Sequence, residues 1–342
     1  MLKKINVEEA VGLKLAHDHT QIVPGKFKGV GFRRGHVVQK SDIPKLLDLG
    51  KKQVFVLSLK PGELHEEDAA RRMARGIAGR GLRLRGPKEG KMDFLAKTFG
   101  LLKVNQAALG RINALGSLIL AARHNNSVVS PGDNVGGTRA IPLVIRESKV
   151  RRVEEICRQA GPVLRVLSFR PKKFGIVVTG SEIFEGRIRD TSAAIVQRKA
   201  ESLGGKVIRK AVVPDDPVII AREIRAMKSA GCQVIVATGG LSVDPDDLTL
   251  EGIRASGARV IFYGVPVLPG SMSVYAHLGK TVILGAPACV VHDPITALDL
   301  FLPRVMADDP ISPRDIFNLG HGGLCLRCPV CRYPVCPFGK GG

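Results

Sequence analysis

QVIVATGGLSVDPDDLT, residues Gln233–Thr249, contains the clearest indication of the fold in this chain. Its first six residues form an apolar run rich in β-branched side chains, which predicts a buried strand. Gly239 and Gly240 close the run, and glycines let a ligand lie against bare backbone because no Cβ intervenes. Ser242 adds a hydroxyl group. Since open α/β sheets bind ligands at the carboxyl ends of their strands, this turn is a candidate binding site.

Three carboxylates follow within the same stretch, on the turn into the next predicted helix: Asp244, Asp246 and Asp247. Because like charges this close repel one another, a metal ion or a protonated partner is a natural companion. A simpler alternative is that Asp246 only caps the next helix, which carries Leu248, Leu250 and Ile253. The local sequence leaves both interpretations open.

Strand and helix patterns alternate from Phe174 onward, which predicts an α/β domain with a parallel sheet. We expect helices from Asp190 to about Gly204, after Pro214, up to Gly257, and from about Cys289 to Met306. Polar residues follow three of the predicted strands: Thr179, Ser181 and Glu182, then Asp215, then residues 239–247. Right-handed crossovers place all these turns at one edge of the sheet, so we expect them to share one crevice.

Six motifs occur in order along this region: TGSEIFEG, IRDTSA, VPDDP, ATGGLSVDPDDLT, VPVLPGS and LGAPACV. Together they resemble the molybdopterin-binding domain of molybdopterin adenylyltransferases, molybdopterin molybdotransferases and gephyrin-like proteins. The resemblance covers about residues 173–307 and implies a three-layer α/β/α fold. We expect a β-rich N-terminal domain at 1–170 with a helical insert at about 62–100, the molybdopterin-binding domain at 171–307, and a short Cys-rich tail at 308–342.

The resemblance also implies the roles of individual residues. The two functional acids of the family correspond to Asp215 and Asp247. The ligand-binding residues correspond to Thr179, Gly180, Ser181, Glu182, Asp190, Gly239, Gly240, Ser242, Pro269, Gly270 and Ser271. A phosphorylated ligand needs backbone donors, a cation that neutralises charge and acids that hold the cation, and these residue types supply those groups.

The function that the resemblance implies belongs to molybdenum cofactor biosynthesis. The protein would bind molybdopterin or its adenylate, and would assist adenylylation or molybdate insertion with ATP or AMP, molybdate and Mg²⁺ as partners. One alternative is a non-catalytic carrier or sensor that serves a molybdoenzyme. Another comes from GGLSVDPDDLT, which is also similar to competence-damage-inducible-type proteins that act on pyridine nucleotides or ADP-ribose. Family members are commonly dimers or trimers, so a homo-oligomer is expected.

Composition narrows the partners further. The 342 residues carry a formal net charge of +21, which indicates an anionic partner. Aromatic residues are only 4% of the chain, so few stacking platforms exist and nucleic acid is not the expected ligand. The N-terminal MLKKINVEEA lacks the apolar core of a secretory signal, and no apolar run is long enough to predict a membrane span. We expect a cytoplasmic protein.

Local patterns also make predictions for the N-terminal domain. A helix is expected near Ser41–Leu49, ended by Gly50, and a second helix between Gln106 and Arg123. His17, Asp18 and His19 suggest a metal or catalytic cluster, but adjacent residues of a strand point to opposite faces. A surface loop is therefore the favoured interpretation of that triplet.

Four of the seven cysteines lie within the last 18 residues, in a C-x2-C-x2-C-x4-C run formed by Cys325, Cys328, Cys331 and Cys336. Such spacing predicts a metal site in a reducing compartment rather than a disulfide framework. The run is similar to that of bacterial ferredoxins, and zinc accepts the same four thiolates, so both an iron-sulfur cluster and zinc stay open. An unstructured tail with free thiols is the alternative.

Overall fold

Residues 2–23, 27–57, 59–88 and 90–340 are described by a computed structural model. The chain divides into two compact units. The first unit comprises Met1–Thr98, Lys103–Arg123 and Ser130–Val166, and the second comprises Phe99–Leu102, His124–Val129 and Leu167–Gly342. Within the described residues, no helix is both long and apolar enough to cross a membrane.

Short strands dominate residues 2–168. The strands are β1 Leu2–Asn6, β2 His19–Val23, β3 Phe27–Phe32, β4 Gln53–Leu57, β5 Glu63–His65, β6 Leu82–Lys88, β7 Lys91–Ala96, β8 Gly100–Val104, β9 Leu118–Ala122, β10 Val128–Val129, β11 Asn134–Ala140, β12 Val144–Arg146 and β13 Leu164–Ser168. The helices are α1 Ile43–Asp48, α2 Glu66–Ile77, α3 Gln106–Asn113 and α4 Glu147–Ala160. Helical structure in the segment expected to be a helical insert is thus confined to α2, and β6 and β7 follow it.

The first unit contains a small N-terminal core and a larger sheet. Strands β1 and β4 form one antiparallel pair, and β2 and β3 form another. Ile5, Phe32 and Val54 of these strands belong to one core with the fully buried Leu46 of α1. The predicted helix near Ser41–Leu49 is confirmed by α1, which ends before Gly50, a residue with φ of +71°. Strands β6, β7, β11 and β9 form a four-stranded antiparallel sheet.

The single helix predicted between Gln106 and Arg123 is wrong. The chain leaves helical geometry after Asn113, because Gly116 and Ser117 both adopt positive φ values. Residues 118–122 then form β9, which pairs with β11. The apolar run LILAA gains more from sheet pairing and burial than from continuing the helix, so tertiary context overrides local propensity here.

Regular α/β alternation builds the second unit from residue 173. Its strands are β14 Lys173–Thr179, β15 Lys206–Val213, β16 Val234–Thr238, β17 Arg259–Tyr263, β18 Val274–Leu278 and β19 Thr281–Ala286. Its helices are α5 Ser181–Phe184, α6 Ser192–Ser202, α7 Pro217–Ser229, α8 Thr249–Ala255, α9 Cys289–His292, α10 Ala297–Met306 and α11 Pro313–Phe317. The expected strand in QVIVAT and the helices α6 and α7 are confirmed.

The six strands form one sheet in the order β15-β14-β16-β19-β18-β17. The first four of these strands are parallel, whereas β18 runs antiparallel to both of its neighbours. The expectation of a wholly parallel sheet is therefore corrected at one edge. The final predicted helix is also divided, because Asp293–Thr296, which includes Pro294, separates α9 from α10.

Helices cover both faces of this sheet, so the expected three-layer α/β/α fold is observed. On one face, Ile176 and Val178 of β14 pack in a core with Phe301 of α10. On the other face, Val177 packs in a core with Ile224 of α7. Successive residues of a strand point to opposite faces, and strands buried on both sides read as nearly continuous apolar runs.

Candidate functional site

Two buried threonines join the turns that follow β14 and β16. The hydroxyl oxygens of Thr179 and Thr249 lie 2.7 Å apart, although 70 residues separate them in sequence. Thr249 donates to the carbonyl of Gly239 at 2.9 Å, and Thr179 Oγ1 lies 3.3 Å from the carbonyl of Thr238. This hydroxyl pair holds the start of α8 against the glycine turn. Sequence reasoning missed Thr249, although its place at the end of the GGLSVDPDDLT motif was a signal.

Asp215 joins the turn after β15 to the turn after β14. Its Oδ2 accepts hydrogen bonds from the backbone nitrogen of Ser181 at 2.8 Å and from the Ser181 hydroxyl at 3.2 Å. The backbone nitrogen of Asp215 lies 3.3 Å from the same hydroxyl oxygen. The turns at the carboxyl ends of β14, β15 and β16 therefore lie together, as predicted from the sequence.

The glycine turn after β16 is closely surrounded by these side chains. Gly239 and Gly240 have φ values of +92° and +52°, a region that glycine enters at little cost. A Cβ at Gly240 would lie 2.6 Å from Thr249 Oγ1 and 3.2 Å from Asp215 Oδ1. The side chains that hold the turn therefore already occupy the direction in which a Cβ would point, so position 240 accepts only glycine without a shift of these groups.

Two of the predicted ligand-binding residues have local roles. Asp190 accepts hydrogen bonds from the backbone nitrogens of Ser192 and Ala193, and therefore caps the start of α6. The Glu182 carboxylate lies against Gly180, where a Cβ would come within 2.9 Å of Glu182 Oε1.

The acidic turn is ordered by one of its own aspartates. Asp247 Oδ2 accepts a hydrogen bond from the backbone nitrogen of Asp244 at 3.1 Å. The interpretation of Asp246 as the helix cap is wrong, because α8 begins after Leu248 without a side-chain cap. The α8 start is held instead by Thr249, whose backbone nitrogen donates to the carbonyl of Gly240 at 3.0 Å.

Ser242 lies beside the hydroxyl group of Tyr263. That hydroxyl donates to the carbonyl of Leu241 at 3.0 Å and lies 3.3 Å from the carbonyl of Ser242. Burial raises the pKa of Tyr263, and the negative charge of Asp247 raises it further. Tyr263 therefore stays protonated and acts as the donor that holds this segment.

The remaining predicted residues, Pro269, Gly270 and Ser271, lie on the connection between β17 and β18. The carbonyl of Pro269 accepts from the backbone nitrogen of Ala297 at 3.2 Å, and Gly270 packs against Ala297. Among the described hydrogen bonds, none joins this connection to Asp215 or to the glycine turn. The structure brings Thr179, Ser181, Asp215 and the glycine turn together, and holds the 269–271 loop on a different element.

The described side chains of this site do not form a complete metal-binding site by themselves. In the described part of the chain, no three His, Cys, Asp or Glu side chains converge closely enough to hold one metal ion. Asp215 is nevertheless placed to contribute one carboxylate oxygen. Mg²⁺ commonly binds through one or two carboxylates together with substrate phosphates and water, so the protein groups present fit such a shared site.

The histidines near the N-terminus differ from the expected surface loop. His19 is 3% exposed, and its ring centroid lies 4.5 Å from that of His17. Both ring nitrogens of His19 and Nδ1 of His17 are buried without a hydrogen-bond partner. Burial, followed by the positive charges of His17 and Lys51, lowers the pKa of His19 to about 4. The surface-loop interpretation is wrong for His19, which begins β2 and is buried, whereas His17 and Asp18 lie outside the strands.

Residues 175–307 match the family described as "Probable molybdopterin binding domain". This match agrees with the resemblance of the six ordered motifs. Residues 4–58 match a second family, described as "Domain of unknown function (DUF8806)".

Curated relatives share parts of the chain. A protein of Archaeoglobus fulgidus is 38% identical over 110 residues, which are 32% of this chain and 44% of that protein. A CinA-like protein of Mycobacterium leprae is 40% identical over 77 residues, 22% of this chain and 18% of that protein. A molybdopterin molybdenumtransferase of Synechococcus elongatus is 28% identical over 145 residues, 39% of this chain and 36% of that enzyme. The chain therefore spans less than half the length of each of these relatives.

Two solved structures are also similar. The protein CinA from Thermoplasma acidophilum is 21% identical and matches with a TM-score of 0.30, covering 34% of this chain and 88% of CinA. The molybdopterin biosynthesis enzyme MoaB from Thermus thermophilus is 22% identical and matches with a TM-score of 0.33, covering 39% of this chain and 91% of MoaB.

Proposed function

We propose that this protein binds molybdopterin or its adenylate at the edge where β14, β15 and β16 end. The family of residues 175–307 supports the ligand class. The observation that carries the proposal is the convergence of Ser181, Asp215 and Thr249 around the bare backbone of Gly240. Backbone donors, hydroxyl groups and a carboxylate are the groups that a phosphate ester and its counter-ion require.

Asp215 and Asp247 have the two acidic roles in this proposal. Asp215 uses Oδ2 to hold Ser181, while its Oδ1 faces Gly240. Asp247 uses Oδ2 to order its own turn. A divalent ion bound with the ligand would neutralise phosphate charge, with the ligand's own oxygens completing its coordination. The net charge of +21 favours the approach of such an anion.

The proposed activity is assistance of adenylylation or molybdate insertion. Thr179, Gly180, Ser181 and Glu182 would lie on the phosphate side, and Gly239, Gly240 and Ser242 would support the pterin. The loop formed by Pro269, Gly270 and Ser271 would close over the ligand. Asp190 would act indirectly, by holding the N-terminus of α6.

Mass analysis of the ligand that co-purifies with the full chain tests the proposal. We expect molybdopterin or its adenylate, with retention strongly reduced by Asp215→Asn and by Asp247→Asn. Asp246→Asn is the matched control, since the Asp246 side chain makes no described contact within the site. Equal retention by the wild type and both site variants would refute the roles given to the two acids.

A pair of glycine substitutions tests the shape of the turn. Gly240→Ala places a methyl group within 2.6 Å of Thr249 Oγ1, at a φ of +52°. Gly231→Ala is the control, because Gly231 also has a positive φ, of +88°, but has no atom within 4 Å of its Cβ position. Both variants therefore incur backbone strain, and only Gly240→Ala is expected to lose the ligand. If both lost the ligand equally, strain rather than the site would be responsible.

A second candidate function follows from the CinA-like relatives, which are 32–40% identical over short segments. In that case the site at this edge of the sheet would catalyse the hydrolysis of ADP-ribose or a pyridine nucleotide. Incubation of the protein with each compound and a divalent ion, followed by product analysis, distinguishes this activity from molybdopterin binding. Ligand retention without turnover of ATP and molybdate would instead favour a carrier or sensor for a molybdoenzyme.

A further inference from the structure

The four cysteines of the C-terminal run line one cavity of about 440 Å³. Cys328 and Cys331 are exposed, whereas Cys325 and Cys336 are half-buried. All four thiols are free. The other sides of the cavity are formed by residues 292–295, at the end of α9 and in the connection to α10, and by Arg327, Arg332, Tyr333 and Phe338 of the tail. A run of thiols spread over twelve positions thus surrounds a single space.

The backbone that carries these cysteines is anchored in the core of the second unit. Phe338 is 2% exposed and belongs to the same core as Phe301 of α10. The Tyr333 hydroxyl donates to the carbonyl of Asp299 at 3.3 Å, and Gly339 packs against Leu300. The alternative of an unstructured tail is therefore wrong for residues 308–340. The cysteines lie on a positioned loop, which reduces the entropy lost when a metal binds.

The spacing of the run favours a cluster over a single ion. It resembles the bacterial ferredoxin pattern, including the proline that follows the last cysteine, Pro337, and differs by one extra residue before that cysteine. In the described chain, no three His, Cys, Asp or Glu side chains are close enough to hold one metal ion, so the thiols must move inward when a metal group binds. The cavity of about 440 Å³ gives that group room.

We propose that Cys325, Cys328, Cys331 and Cys336 bind a four-iron, four-sulfur cluster in this cavity. The cluster arrives preformed with four small thiolates as terminal ligands and exchanges them for the cysteines. Each cysteine S–H bond breaks as its S–Fe bond forms, the departing thiolate takes the proton, and no electron is transferred. The four thiolates bring negative charge into the site. Arg327 and Arg332, which line the same cavity, partly offset that charge.

This site is connected to the loop that follows β17. The backbone nitrogen of Cys325 donates to the carbonyl of Leu268, and the backbone nitrogen of Leu268 donates to the carbonyl of Gly323, both at 2.8 Å. Leu268 directly precedes Pro269, Gly270 and Ser271. A cluster bound at Cys325 would therefore stabilise this loop as well as the tail.

Metal analysis of the anaerobically purified full chain tests the proposal. We expect iron and acid-labile sulfide in equal amounts, about four of each per chain, together with a broad visible absorption band. Cys328→Ser and Cys331→Ser replace exposed thiols, so the fold should survive while iron, sulfide and the band are lost. Cys289→Ser is the matched control, because Cys289 is half-buried nearby but does not line the cavity.

Hydrogen exchange provides a readout that is independent of colour. Backbone amides of residues 265–272 should exchange faster in Cys331→Ser than in the wild type, whereas Cys289→Ser should match the wild type. Tyrosine fluorescence during thermal unfolding confirms that each variant is folded. One zinc per chain without a visible band, iron that persists in both serine variants, or absence of any bound metal would each overturn the proposal.

Discussion

His19 makes the stability of the first unit depend on pH. Its pKa is about 4 in the folded chain against an ordinary value of 6.5. The folded state therefore favours the neutral ring, and the unfolded state binds a proton first as the pH falls. The contribution of His19 to the free energy of unfolding is fully present above pH about 6.5 and is lost as the pH falls toward 4.

The size of the effect follows from the two pKa values. Between pH about 7 and pH about 5 the free energy of unfolding should fall by about 2 kcal/mol, and the full loss below pH 4 approaches about 3 kcal/mol. His19→Phe removes the titration and the two unpartnered nitrogens. We therefore expect a flatter pH dependence in this variant, and stability at neutral pH no lower than that of the wild type.

The assay must report on the first unit alone. All three tyrosines, Tyr263, Tyr275 and Tyr333, lie in the second unit and the chain has no tryptophan, so tyrosine fluorescence does not report on the first unit. Hydrogen exchange of peptides from β1 and β4, corrected for intrinsic rates, measures local opening at each pH. Thr20→Val, at an exposed neighbour, is the control and should retain the wild-type slope. The reasoning fails if His19→Phe keeps that slope, or if NMR shows His19 titrating near 6.5.

Three further predictions concern other contacts. Thr249→Val keeps the shape of the side chain but removes the hydroxyl partner of Thr179, so the second unit should lose about 1–3 kcal/mol in denaturation followed by tyrosine fluorescence. Arg72→Met removes a side chain that hydrogen-bonds Glu147 and Glu154. The free energy of unfolding measured by hydrogen exchange in α2 and α4 should fall by about 1–3 kcal/mol. Arg151→Met is the control and should cause no change, because the Arg151 side chain in its ion pair is exposed. Phe338→Ala should lower the stability of the second unit by about 3–5 kcal/mol, and an unchanged melting temperature would contradict the anchoring of the tail.

Much of the second unit was predictable because its signals are local. Apolar runs identified β14 and β16, and Asp216 followed by Pro217 marks the start of α7, where Asp216 accepts from two backbone nitrogens. The carboxyl ends of parallel strands share one edge, so the convergence of Ser181, Asp215 and Gly240 could be predicted without coordinates.

Local reasoning failed where partners distant in sequence determine the outcome. Residues 118–122 form β9 because β11 is available to pair with them. The antiparallel direction of β18 has a local cause instead, because only two residues separate Leu278 from its partner Thr281 in β19. Asp246 has the residue type and position of a helix cap, yet α8 starts after Leu248. The burial of His19 likewise depends on surrounding elements of the first unit.

The opening stretch separates the two kinds of information. Composition and order of residues alone determined that Gln233–Thr249 forms a buried strand, a glycine turn and the start of a helix, since each is a short-range property of the backbone. The shared edge of the neighbouring turns was also predictable, but only the tertiary structure decided which atoms touch the glycine turn. Thr179 and Thr249 meet across 70 residues because β14 and β16 are neighbours in the sheet, and Asp215 arrives from β15 on the far side of β14. Such contacts depend on strand order and packing, which no local pattern encodes.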